Sequence, residues 1–140
     1  MSLLIIIGLP GSGKTTYAQN DLNDYLIFDD CLTYFYNGKA MMAIEFGIKT
    51  CLIDPRFCDY TVFKRYLKRI LKLIDKQQIK LILYQNQPEI CLNNNANRSD
   101  DKRNGRSDYD TLKPTLLSLS AVYDLDNYLD YHYEIKEVYQ

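Results

Sequence analysis

A short apolar run followed at once by a glycine-rich turn constrains this sequence more than any other feature. Leu3–Ile7 is continuously apolar and rich in isoleucine, which is typical of a strand buried on both faces of a parallel sheet. Residues 8–15, GLPGSGKT, then fit the pattern G-x-x-x-x-G-K-[ST] at every fixed position, just before a predicted helix. A loop with this pattern and context binds the phosphates of a nucleoside triphosphate.

Each residue type in this loop has a physical reason. Glycines let consecutive backbone N–H groups curl around phosphate oxygens, because no Cβ atom blocks positive φ values. Lys14 supplies a cation for the β- and γ-phosphates, and the Thr15 hydroxyl is a ligand for Mg²⁺. We therefore expect ATP or another nucleoside triphosphate, with Mg²⁺, at Gly8, Pro10, Gly11, Ser12, Gly13, Lys14, Thr15 and Thr16.

Short apolar strands alternate with helices along the rest of the chain. The predicted strands are residues 3–7, 25–28, 50–53, 80–84 and 131–139. The predicted helices are residues 15–22, 37–46, 59–76, 88–95 and 114–123. This alternation predicts one α/β domain over residues 1–140, with about five mostly parallel strands and helices on both faces. With the glycine-rich loop after its first strand, the expected architecture is a three-layer P-loop NTPase fold. The polar residues 96–108 are expected to form a loop that is either functional or disordered.

The composition excludes several other classes of protein. An apolar share of 46% and a charged share of 25% are those of a globular domain and not of a disordered or fibrous chain. No apolar run approaches ~18 residues, and the start lacks the features of a signal peptide, so we expect no membrane segment and a cytoplasmic protein, in the host cytoplasm if the source is a virus. The net charge of −1 provides no global basic field for nucleic acid.

The cysteines do not form a metal-binding pattern. There is no Cys-x-x-Cys pair and the chain has 1 histidine, so a zinc site would have poor ligands. We expect reduced and mostly buried thiols at Cys31, Cys51, Cys58 and Cys91.

Acidic residues follow two of the predicted strands. Asp29 and Asp30 close the second strand, and Asp54 closes the third. In an open parallel sheet, ligands bind outside the carboxyl ends of the strands. One carboxylate of the pair would accept the proton of an acceptor hydroxyl, and Asp54 would hold the metal through water or orient the acceptor. Alternatively, these aspartates cap the turn or helix that follows.

Taken in order, the glycine-rich loop, the acid pair, Asp54 and an arginine-bearing loop resemble the P-loop kinase superfamily. The chain is most similar to the 5′-hydroxyl polynucleotide kinases and to small viral and phage kinases near them. The resemblance implies that Asp29 is the general base, and that residues 96–108 form a lid whose Arg98 and Arg103 reach the transferring phosphoryl group. Arg98 and the segment 102–106, KRNGR, resemble the Arg and Lys-Arg-Gly of that family's lid with an asparagine inserted.

One arginine of the family pattern is missing. The polynucleotide kinases carry an arginine for the acceptor phosphate shortly after the acid pair, whereas here residues 31–33 are Cys-Leu-Thr. Arg56, which follows Asp54 and Pro55, either fills this role from another strand end or is a surface arginine.

These observations predict a phosphotransferase that moves the γ-phosphate of ATP to a hydroxyl acceptor, with the 5′-hydroxyl end of a polynucleotide as the first choice. The alternatives are a nucleoside or nucleotide kinase, and a P-loop regulatory NTPase that is not a kinase. The acid pair and the arginine lid favour a kinase. A GTPase is disfavoured, because residues 84–87 are Tyr-Gln-Asn-Gln and not Asn-Lys-x-Asp. The oligomeric state stays open.

Overall fold

A computed structural model describes residues 2–97 and 109–139, without the side chains of residues 34–37. The strands found there are β1 Leu3–Ile7, β2 Leu26–Asp29, β3 Thr50–Ile53, β4 Ile79–Tyr84 and β5 His132–Lys136. The α-helices are α1 Lys14–Asp21, α2 Tyr34–Glu45, α3 Tyr60–Ile70, α4 Pro88–Ala96 and α5 Tyr109–Val122. Short 3-10 helices cover Pro55–Cys58, Lys76–Gln78 and Leu125–Tyr128.

The strands form one parallel sheet in the order β2-β3-β1-β4-β5. β1 lies in the middle of the sheet, between β3 on one side and β4 on the other. Because all strands run in the same direction, their carboxyl ends share one edge, which is where ligands of such sheets bind. The predicted α/β fold with a five-stranded parallel sheet is confirmed, and the loop after β1 begins at the centre of that edge.

Alternate residues of β1 build a separate core on each face of the sheet. Ile5 and Ile7 belong to a core that includes side chains of α2, α3, α4 and α5, and both are fully buried. Ile6 points to the other face, where it packs in a smaller core with Ala18 of α1. Helices therefore cover both faces, and none in residues 2–97 and 109–139 is long and apolar enough to cross a membrane.

Two helices depart most from their predicted bounds. α3 ends at Ile70, although the apolar spacing continues to Ile74. Leu73 and Ile74 still pack against the core, but they do so from a turn in which the N–H groups of both residues donate to the Ile70 carbonyl, so the apolar pattern continues after the helix has ended. α5 begins at Tyr109 and carries Pro114 inside it, whereas the sequence predicts a start at the proline. Pro114 is the sixth residue of α5, so its missing N–H removes one hydrogen bond of the helix, and the helix continues past it to residues that pack against the core, such as the fully buried Leu116.

Candidate functional site

The glycine-rich loop, residues 8–13 between β1 and α1, turns sharply at two glycines. Gly11 has φ 86° and Gly13 has φ 103°, values that other residues adopt only with strain. Inside the turn, the Ser12 N–H donates to the Leu9 carbonyl at 3.1 Å. Left-handed residues of this kind also occur in backbone sites for anions.

Lys14 folds its side chain back over this loop. Its Nζ donates to the Leu9 carbonyl at 2.8 Å and lies 3.4 Å from the Ser12 hydroxyl. The Lys14 side chain is only 6% exposed, and Ser12 is fully buried. A cation is therefore held at the mouth of the loop, at the amino end of α1, where the helix dipole also favours an anion.

The amide side chains of two asparagines near the end of α4 hold the loop from outside. Asn95 is buried and donates to the carbonyls of Pro10 and Cys91, each at 2.9 Å. Asn94 donates to the Gly11 carbonyl at 2.9 Å and to the Tyr139 carbonyl at 2.6 Å. Neither asparagine is predicted as a site residue from the sequence, because an asparagine-rich run looks the same in a solvated loop and in a buried contact.

The end of the described chain also contacts the loop. The Tyr139 N–H donates to the Ser12 carbonyl at 3.1 Å, and the Val138 N–H donates to the Gln87 side chain at 3.2 Å. A Cβ atom on Gly13 would lie 2.9 Å from the Tyr139 Cβ, which is too close for any side chain. The segment after β5 therefore packs directly against the start of α1.

The acid pair lies beside Thr15, as its place at a strand end predicts. The Thr15 hydroxyl donates to Asp29 Oδ2 at 2.7 Å, and the Asp30 N–H donates to Asp29 Oδ1 at 2.9 Å. Asp30 has φ 53°, a left-handed conformation that a residue with a Cβ atom adopts at some cost. Strain at an acidic residue next to the loop is typical of functional positions.

Asp54 takes part in a different set of contacts from the one expected. It is fully buried, and its carboxylate accepts hydrogen bonds from the Leu32 N–H at 3.1 Å and the Arg56 N–H at 2.9 Å. Arg56 also donates from Nε at 2.8 Å and from Nη2 at 2.6 Å. The structure thus brings Asp54 to Arg56 and brings Thr15 to Asp29. The expected role of Asp54 in holding the metal has no contact with Thr15 to support it.

Asp54 also caps the turn that follows it, which was the alternative stated for the strand-end aspartates. It precedes the 3-10 helix Pro55–Cys58 and accepts the hydrogen bond of the N–H two residues on. The hydrogen bonds to Asp54 raise the pKa of Arg56 above its ordinary value, so the guanidinium stays charged. About half of the Arg56 side chain remains exposed.

A cavity of about 380 Å³ opens beside the glycine-rich loop. Tyr84 extends from the end of β4 towards the loop, with its hydroxyl 3.4 Å from the Gly13 carbonyl, and burial raises its pKa to about 12. The Lys136 ammonium lies 4.4 Å from the centre of the Tyr17 ring. The cavity is lined by Gly13, Thr16, Tyr17, Asn20, Asp21, Tyr84, Lys136, Glu137 and Tyr139.

The four cysteines are free and buried, as predicted. Burial raises the pKa of Cys91 to about 11 and those of Cys51 and Cys58 to about 12. In residues 2–97 and 109–139, no group of three or more His, Cys, Asp or Glu side chains is placed to hold a metal ion. Burial therefore favours the protonated thiol over the thiolate, which is the form that acts as a nucleophile.

Most of the predicted site residues come together at one edge of the sheet. Lys14, Thr15, Asp29 and the loop glycines are neighbours there, and Thr16 lines the cavity. The predicted lid arginines Arg98 and Arg103 lie outside the described residues.

This chain is similar over its whole length to a viral protein. An uncharacterized protein of Acanthamoeba polyphaga mimivirus is 38% identical over 141 residues, which cover 99% of this chain and 97% of that protein. No established family profile matches the sequence. The similarity extends over the whole fold and is not confined to the glycine-rich loop.

Proposed function

We propose that this chain, a member of the same protein family as the mimivirus protein, is an ATP- and Mg²⁺-dependent phosphotransferase with a P-loop NTPase fold. One observation carries the proposal. The glycine-rich loop lies at the carboxyl edge of a parallel sheet, and the Lys14 side chain folds over it. Thr15, which follows the loop, is hydrogen-bonded to Asp29 at the end of β2. A phosphoryl-transfer site combines an anion site, which binds the phosphates, with a carboxylate, which accepts the proton of the acceptor.

The donor nucleotide is held by the loop and by the cavity next to it. The loop N–H groups and Lys14 bind the phosphates, for which Lys14 exchanges its contact with the Leu9 carbonyl. The cavity of about 380 Å³ takes the base and ribose, since it begins at Gly13 and Thr16 and offers tyrosine rings for stacking. Lys136 and Glu137 supply the polar contacts there.

The Thr15 hydroxyl fits a magnesium ion. It is a hard oxygen donor at the start of α1, and its hydrogen is donated to Asp29 Oδ2 at 2.7 Å, so its lone pairs remain for the ion. Mg²⁺ keeps several waters and takes phosphate oxygens of the nucleotide, so it needs no larger cluster of acids. When bound, the ion would neutralise charge on the transferring phosphate. Because Asp54 is engaged with Arg56 and Leu32, we assign the metal contact to Thr15 and not to Asp54, and we keep Asp29 for the acceptor.

The acceptor approaches from the side of the acid pair. Asp29 accepts the proton of the acceptor hydroxyl as that oxygen attacks the γ-phosphate, while the bond to the β-phosphate oxygen breaks and ADP leaves. Asp30 is the second candidate for the base. The 5′-hydroxyl end of a polynucleotide is the acceptor that the resemblance to polynucleotide kinases favours. Arg98 and Arg103 are proposed to stabilise the charge on the transferring group.

A transfer assay with Lys14→Ala tests the function. Labelled γ-phosphate is followed from ATP to a 5′-hydroxyl oligonucleotide, to nucleosides and to nucleoside monophosphates. Transfer is expected for the native protein and lost in Lys14→Ala, because the variant lacks the cation at the loop. Lys49→Ala is the matched control, since Lys49 pairs with Asp24 just before β3, at the opposite edge of the sheet. Hydrolysis of ATP without transfer to any acceptor would instead favour the regulatory NTPase.

A further inference from the structure

The strand β5 presents an open edge of the sheet. It pairs with β4 on one side, and within residues 2–97 and 109–139 no strand pairs with its other side. The Lys136 carbonyl accepts a hydrogen bond from the Gln85 N–H on the β4 side at 2.9 Å. Because the backbone groups of successive strand residues point to opposite sides, the N–H and C=O groups of Tyr133 and Ile135 point away from β4. These groups are a template for pairing with another strand.

The side chains of β5 leave this edge unprotected. The strand, HYEIK, contains neither proline nor glycine, which commonly protect or distort edge strands. Tyr133 and Ile135 are in register with Leu81 and Leu83 of the larger core, and they are 44% and 45% exposed. A further strand at this edge would bury these two apolar side chains, which is favourable.

The charges of β5 are complementary to those of an antiparallel copy of the same strand. Glu134 and Lys136 share the other face of the sheet, with the carboxylate 3.6 Å from the ammonium group. Glu134 also lies 3.5 Å from the Lys80 ammonium, and it stays partly exposed. When Ile135 lies opposite Ile135 of the second copy, Glu134 lies opposite Lys136 of that copy, and Lys136 lies opposite its Glu134. Both pairs of opposite charge then stabilise the contact.

The backbone groups agree with this register. Ile135 faces outward, so the two copies exchange hydrogen bonds at Ile135, and Glu134 with Lys136 forms the closer kind of pair, with Cα atoms about 4.5 Å apart. A centre at Glu134 would also satisfy the outward groups, but it places two carboxylates directly opposite each other, which is destabilising. A centre at Tyr133 pairs Glu134 with His132 and leaves Lys136 without an acidic partner from β5.

We propose that this chain forms a symmetric dimer by antiparallel pairing of β5 with β5 of a second copy, which joins the two sheets into one. The inference goes beyond the proposed function and does not depend on it. Lys136 and Glu137 also line the cavity beside the glycine-rich loop, so the second copy packs along the outer wall of that cavity.

Charge variants mixed with each other test the pairing. Sedimentation velocity over a dilution series follows native protein, Glu134→Lys, Lys136→Glu and the control Lys64→Glu, which changes an exposed lysine on α3. Native protein and control are expected to dimerise with the same dissociation constant. Each β5 variant places like charges opposite each other in its own dimer, so its dissociation constant should rise about tenfold or more. An equimolar mixture of the two variants should dimerise like native protein, because every lysine then faces a glutamate.

A monomer at every concentration of native protein would overturn the inference, and so would a mixture that associates no better than the separate variants. Ile135→Pro covers the case in which a charge variant does not fold. It removes an N–H that points away from β4, so the protomer keeps its own hydrogen bonds and should be a folded monomer by circular dichroism and sedimentation. A folded Ile135→Pro dimer would contradict pairing through β5.

Cysteine cross-linking tests the register. In the proposed dimer, Ile135→Cys lies opposite itself at a Cα separation of about 5.5 Å, which a disulfide can bridge. Tyr133→Cys lies opposite Glu137 and should not cross-link to itself. The four native cysteines are buried, so they provide little background under mild oxidation. A disulfide in Tyr133→Cys and none in Ile135→Cys would overturn the register paired through Glu134 and Lys136.

Discussion

The Thr15 hydroxyl and Asp29 Oδ2 are joined by a 2.7 Å hydrogen bond between the first turn of α1 and the end of β2. The bond connects the threonine that is expected to bind the metal with the carboxylate that is expected to accept the proton of the acceptor. The proposed metal ligand and the proposed base are therefore in direct contact. Substitutions at either residue should therefore affect the same step.

Thr15→Val is expected to raise the Mg²⁺ concentration needed for half-maximal transfer, because valine keeps the shape of threonine and removes its oxygen.

Asp29→Asn should lower kcat by about 10²–10⁴-fold, the usual effect of losing a general base, and should raise the Mg²⁺ requirement through the lost contact with Thr15. Transfer rates measured over a magnesium titration give both quantities.

Asp30→Asn is the matched variant for the second carboxylate. It keeps a side chain that tolerates the left-handed conformation of this residue, so the fold should be unaffected. We expect a smaller loss of kcat than in Asp29→Asn. A larger loss in Asp30→Asn, with normal turnover in Asp29→Asn, would assign the base to Asp30.

Asn95→Ala should weaken both the fold and the binding of ATP. The Asn95 amide is buried and donates to the Pro10 carbonyl, which alanine would leave without a partner, at a cost of about 1–3 kcal/mol in the free energy of unfolding. Urea unfolding and ATP titration measure the two effects. Asn93→Ala is the control, because Asn93 lies on the same helix with an exposed side chain. Equal effects of the two substitutions would show that the contact with the loop is unimportant.

Tyr139→Ala is expected to weaken the binding of ATP while the binding of inorganic tripolyphosphate stays the same. The Tyr139 side chain lines the cavity assigned to the base and ribose, whereas its backbone N–H contacts the loop and survives the substitution. Calorimetric titrations with the two ligands provide the comparison. If tripolyphosphate binding falls by the same factor as ATP binding, the tyrosine acts on the loop and not on the base.

Alkaline pH should destabilise the fold through the buried thiols. Burial raises the pKa of Cys91 from an ordinary value of 9.0 to about 11, so above pH 9 the unfolded chain has lost a proton that the native chain still holds. The unfolded state then binds fewer protons, and the free energy of unfolding falls as the pH rises, by up to about 1.4 kcal/mol per pH unit for each such thiol.

Urea unfolding from about pH 8 to pH 10 measures this slope, with Cys91→Ala as the comparison. The variant lacks one of the shifted groups, so its stability should fall less steeply than that of the native protein. Parallel slopes for the two proteins would mean that Cys91 does not contribute.

Local sequence patterns predicted those parts of the fold that depend on neighbours along the chain. β1 and β3 have their predicted bounds, because each is an apolar run that a turn-forming residue closes, Gly8 after β1 and Asp54 before Pro55 after β3. The glycine-rich loop and the acid pair lie where the motif and the strand ends placed them. The roles of Arg98 and Arg103 stay predictions.

Contacts between distant segments could not be predicted in the same way. Asn94 and Asn95 reach the loop from residues that lie about 80 positions further along the chain, and Tyr139 reaches it from beyond β5. No periodicity in the sequence indicates such contacts, since they form only once the sheet has brought the segments together. Asp54 differs from these cases, because its partner Arg56 lies two residues away and capping of the following turn was one of the alternatives that the sequence left open.

Under the proposed function, the left-handed backbone at Asp30 lowers thermal stability at a residue whose carboxylate favours turnover. Glycine adopts φ 53° without strain, so Asp30→Gly is expected to relieve the backbone while it removes a carboxylate from the reacting edge of the sheet. A library sorted only for resistance to heat would therefore be enriched in glycine at this position. The same library sorted for phosphorylated product would keep the aspartate, and the difference between the two outcomes measures how much rigidity the protein gives up for its chemistry.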